Sequence, residues 1–495
     1  MKNIIKGLTI AIVATLLVAC SDYLDTEQYA AISSDAAITN LSDAKAALTG
    51  MYDGLQGSSS RNSYYASRMI YYGDVRGDDM QASRSGNRTS ALYEMRYTED
   101  NAPAIWGVPY NVIRRANNLL KAFDDELVTD ASTAEANLIK GQAFAVRALA
   151  HFDLVRVYGK PYVVDQGASL GVPIVTEPTE PSSIPPRNTV DEVYKQVIKD
   201  LEDAIGLLSP SEDTGLGYIN HWAAKALLCR VYLYKGDNQQ ALSLAQDVIN
   251  NSPYELWTNA EYADVWADEG TSEVIFEIVN FDTSDWGDRE GIGYLMSEAG
   301  YSDMIVTTAF SNLLDEDPSD VRHVILDASK DESNIKEWGT AKIFVNKFRG
   351  KTGSQIPVAN IPILRLSEVY LNGAEAAVKL GGSNNQIAAD YVKAIAERAN
   401  PESIESITAA NITLDRVLKE RRKELVGEGH RFFDLMRNNL TCTRYTSESN
   451  MGRHYILAEP DSRQFDNTYF RTILPIPIAE MNANPSLKDQ QNSGY

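Results

Sequence analysis

Apolar positions in this chain recur mostly at helical spacing. Between Ala134 and Tyr158 they fall at Leu138, Ala145, Leu149, Phe152 and Val155, and Gly159-Lys160-Pro161 closes the run, which predicts one long helix. The stretch from Gly167 to Thr189 is rich in Pro and Ser, with Pro185-Pro186, and reads as an extended connection. Thr189 then opens a second helical pattern through Val193, Val197, Leu201 and Ile205. Glu273-Val-Ile-Phe-Glu-Ile-Val-Asn280 has the look of a short strand. It leads into an irregular, loop-rich region carrying Trp286, Tyr294 and Tyr301.

Two segments carry a more specific pattern. Leu228, Cys229, Tyr232, Ala241, Ala245, Val248 and Pro253 keep the offsets of a tetratricopeptide repeat, in which small residues let two antiparallel helices approach closely. Cys229 takes a small position, so packing is its expected role, and Tyr232 and Tyr370 are expected at helical core positions. A looser pair runs from Ile363 to Pro401, with Leu366, Ser367 and Tyr370 on the first helix and Ala389 and Ala396 on the second. Gly381-Gly382-Ser383 supplies its turn. Two repeats do not make a solenoid, so other helices must cover them. The predicted fold is mainly α, with helix pairs packed against an irregular region containing short strands.

The N-terminus follows a different logic. Lys2 and Lys6 precede an apolar run from Leu8 to Val18, the layout of a secretory signal and too short to span a bilayer. Leu17-Val18-Ala19-Cys20 resembles the lipobox of bacterial lipoproteins, which implies cleavage before Cys20 and lipidation of its thiol. Stable anchoring then follows from two or more acyl chains. The expected organisation is a signal at 1–19, a tether at 20–40 and a body at 41–495, its first part about 41–260 and its second about 261–495.

Charge narrows the partners. Net charge is −22, and between Glu261 and Glu337 stand 20 acidic and 4 basic residues, a net of −16. Such a field repels nucleic acid and polyanionic polysaccharide and favours neutral or cationic ligands. With Cys20 lipidated, only Cys229 and Cys442 remain, so no disulfide framework exists. His151, His221, His323, His430 and His454 are scattered without metal-site spacing, and neither a P-loop nor a G-x-S-x-G elbow occurs. No cofactor is predicted. Carboxylates are too abundant to single out a glycosidase pair.

Three C-terminal stretches are more telling: Leu364-Arg-Leu-Ser-Glu-Val-Tyr-Leu-Asn-Gly-Ala-Glu-Ala376; Glu420-Arg-Arg-Lys-Glu-Leu-Val-Gly-Glu-Gly-His-Arg-Phe-Phe-Asp-Leu-Met-Arg437; and Leu474-Pro-Ile-Pro477 with Glu480-Met-Asn-Ala-Asn-Pro485 and Asn492-Ser-Gly-Tyr495. Earlier pieces agree: Gly73-Asp74 with Asp78, Trp106 with Tyr110 and Asn117, Arg147-Ala-Leu-Ala, Tyr158-Gly159 and Gly171-Val-Pro-Ile174. Together they resemble the SusD/RagB family of outer-membrane nutrient-binding lipoproteins of Bacteroidetes-type bacteria. Ser493 stands where the family tail usually has proline. Physically, Leu414, Val417, Leu418, Arg421 and Leu425 share a helical face, and Glu420 with Lys423, or Arg421 with Glu424, can pair one turn apart. Gly427 and Gly429 permit a tight break before Phe432 and Phe433. Glu420, Glu424 and His430 read as a buried ion network in preference to an acid/base cluster.

The resemblance implies a surface-exposed, non-catalytic lipoprotein that captures an oligosaccharide and delivers it to a SusC-like TonB-dependent transporter. Alternatives are a peptide-binding lid of the RagB type and a surface glycoside hydrolase. Family ligand contacts come from the loops after the early Gly-Asp element and from the irregular middle region. Here those regions offer Asp78, Asp79 and Arg84, then Trp286, Tyr294 and Tyr301. Aromatic faces suit the apolar C–H faces of sugars and polar groups suit their hydroxyl edges.

Overall fold

The computed structural model describes residues 37–57, 64–102, 105–180, 182–212, 214–267, 270–281, 289–332, 341–350, 358–403 and 405–495. The predicted leader, Cys20, most of the tether and Trp286 lie outside the described residues.

The chain opens with α1 (Leu41–Gln56), α2 (Arg68–Asp74), the strand β1 (Met80–Ala82) and α3 (Gly107–Asp124). The long predicted helix is α4 (Thr133–Tyr158), started by a capping box of Ser132 and Glu135 that satisfies two otherwise orphaned N–H groups. The same device, Thr189 with Glu192, starts α5 (Val190–Leu207). α6 (His221–Lys235) ends at Gly236, whose φ of 84° turns the chain, and the Asp237 side chain caps α7 (Asn238–Asn251). After β2 (Val274–Ile278) the irregular region contains α8 (Ile292–Met296), β3 (Met304–Val306), α9 (Thr308–Asp315), β4 (Leu326–Ala328) and β5 (Ile343–Val345). Then follow β6 (Ile361–Arg365), α10 (Leu366–Leu380), α11 (Asn384–Ala399), α12 (Leu414–Leu425), α13 (Arg431–Arg437), β7 (Cys442–Thr443) and β8 (Gln464–Phe465).

The helices form one stack in the order α1, α3, α4, α5, α6, α7, α10, α11, each packed on the next. The two predicted repeats are therefore neighbours in space: α7 lies directly on α10, although residues 252–365 separate them in sequence. Gly373 makes that contact possible, because a Cβ there would sit 2.9 Å from the Ala245 Cβ. Within the first repeat, the Cys229 thiol is buried and donates to the Ala241 carbonyl at 3.3 Å, between the two helices as expected. Tyr232 and Tyr370 lie on their helices as expected, half-buried and packed against the core. No helix among the described residues is long and apolar enough to cross a membrane.

Among the described residues four two-stranded antiparallel sheets form, β1 with β3, β2 with β6, β4 with β5 and β7 with β8, and the β2–β6 pair, whose second strand runs directly into α10, ties the irregular layer to this stack. The sequence motifs do the same. Arg147 makes a two-pronged pair with buried Asp200, at 2.7 and 2.8 Å, and donates to the Thr176 carbonyl at 2.9 Å. Asn117 donates to the Val175 and Glu177 carbonyls, and the Tyr110 hydroxyl donates to the Pro173 carbonyl at 2.8 Å. The extended connection after Gly171 is thus held by side chains of α3 and α4 that satisfy its backbone.

The two central signatures meet in a buried ion network. Arg365 reaches Glu273, Glu424 and Glu428; Arg421 takes Asp434 and Asn372; Arg437 takes Glu375 and Asp434. Among the described residues the one-turn pairs Glu420–Lys423 and Arg421–Glu424 do not form. Glu420 instead pairs with Arg322 at 2.6 Å and Arg416 at 2.8 Å, because a buried carboxylate needs partners from packed neighbours as well as from its own helix. Gly427 and Gly429 adopt φ of 81° and 83°, giving the expected break. A Cβ on Gly73 would lie 1.8 Å from the Gly429 carbonyl oxygen, and the Asp74 carboxyl accepts the Gly429 N–H at 2.8 Å.

Candidate functional site

The pairing of β1 with β3 decides where the candidate residues go. Met80 faces Val306, Gln81 faces Ile305 and Ala82 faces Met304. The ladder therefore brings the loop after β1 against the segment just before β3, and so joins the two regions that supply the candidates. Asp303 is the junction. Its carbonyl accepts from Ser83 N–H at 3.2 Å, Asn87 Nδ2 at 2.9 Å and Thr89 Oγ1 at 2.8 Å. Its carboxylate accepts from the Tyr71 hydroxyl at 2.9 Å and Arg88 at 3.1 Å. Burial pushes the Asp303 carboxyl above its ordinary range, and Arg88 opposes that shift.

Arg88 also pairs with Glu290 at 3.2 Å, and its guanidinium lies 4.3 Å from the centre of the Tyr301 ring. Tyr301 stands edge-on to Tyr294, with centroids 5.2 Å apart at 85°. Arg289 covers Tyr294 at 5.6 Å. Tyr301 is 41% exposed and Tyr294 half-buried, while Arg84 is exposed in the loop after β1. The arrangement offers an accessible aromatic face framed by guanidinium donors.

Asp78 and Asp79 sit at the opposite end of β1, where their carbonyls accept from Thr307. Arg431 binds the Asp78 carboxylate at 2.6 and 2.9 Å. Burial works against that charge, yet Arg431 holds the carboxyl down to about 2. Asp79 is 2% exposed and bound by Arg422 at 3.0 Å. Both carboxylates thus tie β1 to α12 and α13. Sequence reasoning missed Arg88, Glu290 and Asp303, which carry no local signature and gain their roles only when β1 pairs with β3. Among the described residues no group of His, Cys, Asp and Glu is arranged to hold a metal ion.

The molecule is thus a stack of helix pairs of tetratricopeptide type carrying an attached irregular layer of loops and short strands. Residues 190–495 match the family model described as "SusD family", and residues 22–233 match one described as "Starch-binding associating with outer membrane". The chain belongs to the SusD family. A solved SusD superfamily protein from Bacteroides thetaiotaomicron is 39% identical, with a TM-score of 0.84 over 92% of this chain and 99% of that one. A structure titled "Laminarin binding SusD-like protein" is 27% identical, with a TM-score of 0.70 over 92% and 100% of the two chains. A SusD-like protein of Bacteroides ovatus is 24% identical over 87% of this chain and 82% of its own length.

Proposed function

We propose that this protein is an outer-membrane lipoprotein, anchored through Cys20, that binds an oligosaccharide and passes it to a SusC-like TonB-dependent transporter. The observation carrying this reading is the β1–β3 ladder, which gathers the loop of Arg84 and Arg88 beside Tyr294 and Tyr301 in a chain of the SusD family. A tyrosine face can cover the apolar face of a sugar ring, and guanidinium N–H groups can donate to its hydroxyls. Trp286, in the polar stretch Asp282-Thr-Ser-Asp-Trp-Gly-Asp288, is proposed from the sequence as a further stacking residue. The description of the N-terminal family model and the laminarin-binding relative favour a glycan cargo. Capture without bond cleavage needs no acid/base pair.

The test is glycan retention with a panel of neutral oligosaccharides that includes laminarin and starch fragments. Tyr301→Ala and Trp286→Ala should each weaken binding by about 1–3 kcal/mol with the melting temperature unchanged. Full affinity in both variants would move the site elsewhere. Gentle detergent purification of the transporter from the same locus should also recover this protein.

A further inference from the structure

Two neighbours on one short turn have opposite surroundings: Tyr301 is 41% exposed and Asp303 only 2%. Between them Ser302 stands at φ of 54°, in the left-handed region that residues other than glycine rarely adopt. The turn is closed onto α8. The Tyr294 carbonyl accepts the Tyr301 N–H at 3.1 Å, the Leu295 carbonyl accepts the Asp303 N–H at 2.8 Å, and the Ser297 carbonyl accepts the Ser302 N–H at 3.2 Å. Gly300 permits this close return, because a Cβ there would sit 1.8 Å from the Tyr294 carbonyl oxygen. A non-glycine residue in such a conformation persists only where its surroundings over-determine it, and such residues gather at ligand clamps.

What the turn delivers to the interior is a carboxylate for Arg88. That arginine bridges Asp303 at 3.1 Å and Glu290 at 3.2 Å while its guanidinium lies 4.3 Å from the centre of the Tyr301 ring. Two of its five N–H groups are taken by the carboxylates, and the other three have no partner among the described residues. Its side chain is 37% exposed, so those donors are within reach of a ligand. Of the two anchors Asp303 is the firmer. Its side chain is 3% exposed against 12% for Glu290, and the Tyr71 hydroxyl of α2 holds it at 2.9 Å. An arginine ordered before the ligand arrives lowers the entropy cost of capture.

We propose that Asp303 is a positioning residue for glycan capture: its carboxylate sets the Arg88 guanidinium against Tyr301 with N–H groups ready for sugar hydroxyls. This rests on the glycan reading above. Asp303 touches no sugar itself, and its effect passes through Arg88. The charge is what counts, since a neutral hydrogen bond is roughly half as strong as one to an ionised group. Burial raises the Asp303 carboxyl above its ordinary range, with Arg88, Tyr71 and Arg84 pulling it down, and Glu290 is the other carboxylate on Arg88. As pH falls through the Asp303 titration the hold on Arg88 weakens, and capture should weaken with it.

The test measures retention of the neutral panel, laminarin and starch fragments included, on the full-length protein from neutral pH into the acid range. Asp303→Asn should lose roughly tenfold in affinity at neutral pH and should lack the acid limb that wild type shows. Tyr71→Phe keeps the carboxylate and removes its hydroxyl donor, so it should move that limb to higher pH. In an Arg88→Ala background Asp303→Asn should cost no further affinity, because the carboxylate acts through that arginine. Equal affinity and an equal pH profile in wild type and Asp303→Asn overturn the positioning role and leave the tyrosine site standing. A full further loss in the Arg88→Ala background, the mark of a residue that only supports the fold, overturns it too. If Asp303→Asn does not fold, Tyr71→Phe decides, and an unmoved acid limb there is equally fatal. A wild-type protein that retains no neutral glycan at any pH overturns the functional reading and the positioning role with it.

Discussion

Glu424→Gln probes the centre of the buried ion network with almost no change in shape. Its carboxylate is fully buried and lies 2.7 Å from Arg398, 3.1 Å from Arg365 and 3.3 Å from Arg322. At 4 Å and an effective dielectric near 20 each such pair is worth about 4 kcal/mol gross, so about 12 kcal/mol for three. Most of that is offset, because the charge no longer has to be desolvated. Each arginine also keeps another acid: Arg322 has Asp320 at 2.7 Å, Arg365 has Glu428 at 2.7 Å, and Arg398 has Glu273 at 3.2 Å. The net loss expected for breaking a buried pair is about 3–5 kcal/mol. With an unfolding entropy of about 2.1 cal/mol/K per residue, a body of this size has close to 1 kcal/mol/K, so the melting temperature should fall by about 3–5 °C. Differential scanning calorimetry at pH 7 measures it. Burial alone would raise the Glu424 carboxyl, but Arg398, Arg365 and Arg322 hold it well below its usual range. A group depressed in the folded state stabilises above its unfolded pKa of about 4.3 and loses that contribution as pH falls. The gap between wild type and variant should therefore narrow from pH 5 towards pH 3. A variant melting within about 0.5 °C of wild type at pH 7 would refute the reasoning behind the network.

Asp74 gives the opposite sign. Burial pushes its carboxyl up to about 8 despite the Gly429 N–H, so it stays protonated in the folded protein, and the stability this gives is complete below about pH 4 and lost as pH rises to 8. Asp74→Asn keeps an acceptor for Gly429 and removes the titration. Its melting temperature should gain on wild type progressively from pH 5 to pH 8, and a constant offset would sink the assignment. Cys20→Ala should abolish metabolic labelling with palmitate and release the protein from the outer-membrane fraction; undiminished labelling would exclude Cys20 as the anchor.

The helix pairs were legible because their signal is local. Cys229, Ala241 and Ala245 stand at offsets fixed by helix geometry alone. That α7 would then meet α10 was not legible, since the contact rests on Gly373 opposite Ala245 across a long insertion. Residue types singled out Arg84 and both tyrosines, which fall on the two segments that β1 and β3 join. They could not separate Arg84 from Asp78 and Asp79. A carboxylate in a loop reads the same whether it faces solvent or, as here, arginines of α12 and α13 more than three hundred positions away.

The last residues of the chain work as a clasp. Asn492 donates to the Tyr158 carbonyl at 2.8 Å and the Leu474 carbonyl at 2.7 Å, and Arg187 grips both the Gln490 carbonyl and the Asn492 side chain. Tyr495 closes on the Ile473 carbonyl at 2.9 Å. The end of α4 and the connection before α5 are therefore fixed by contacts from more than three hundred positions away, so this part of the helical stack cannot settle independently of residues 474–495.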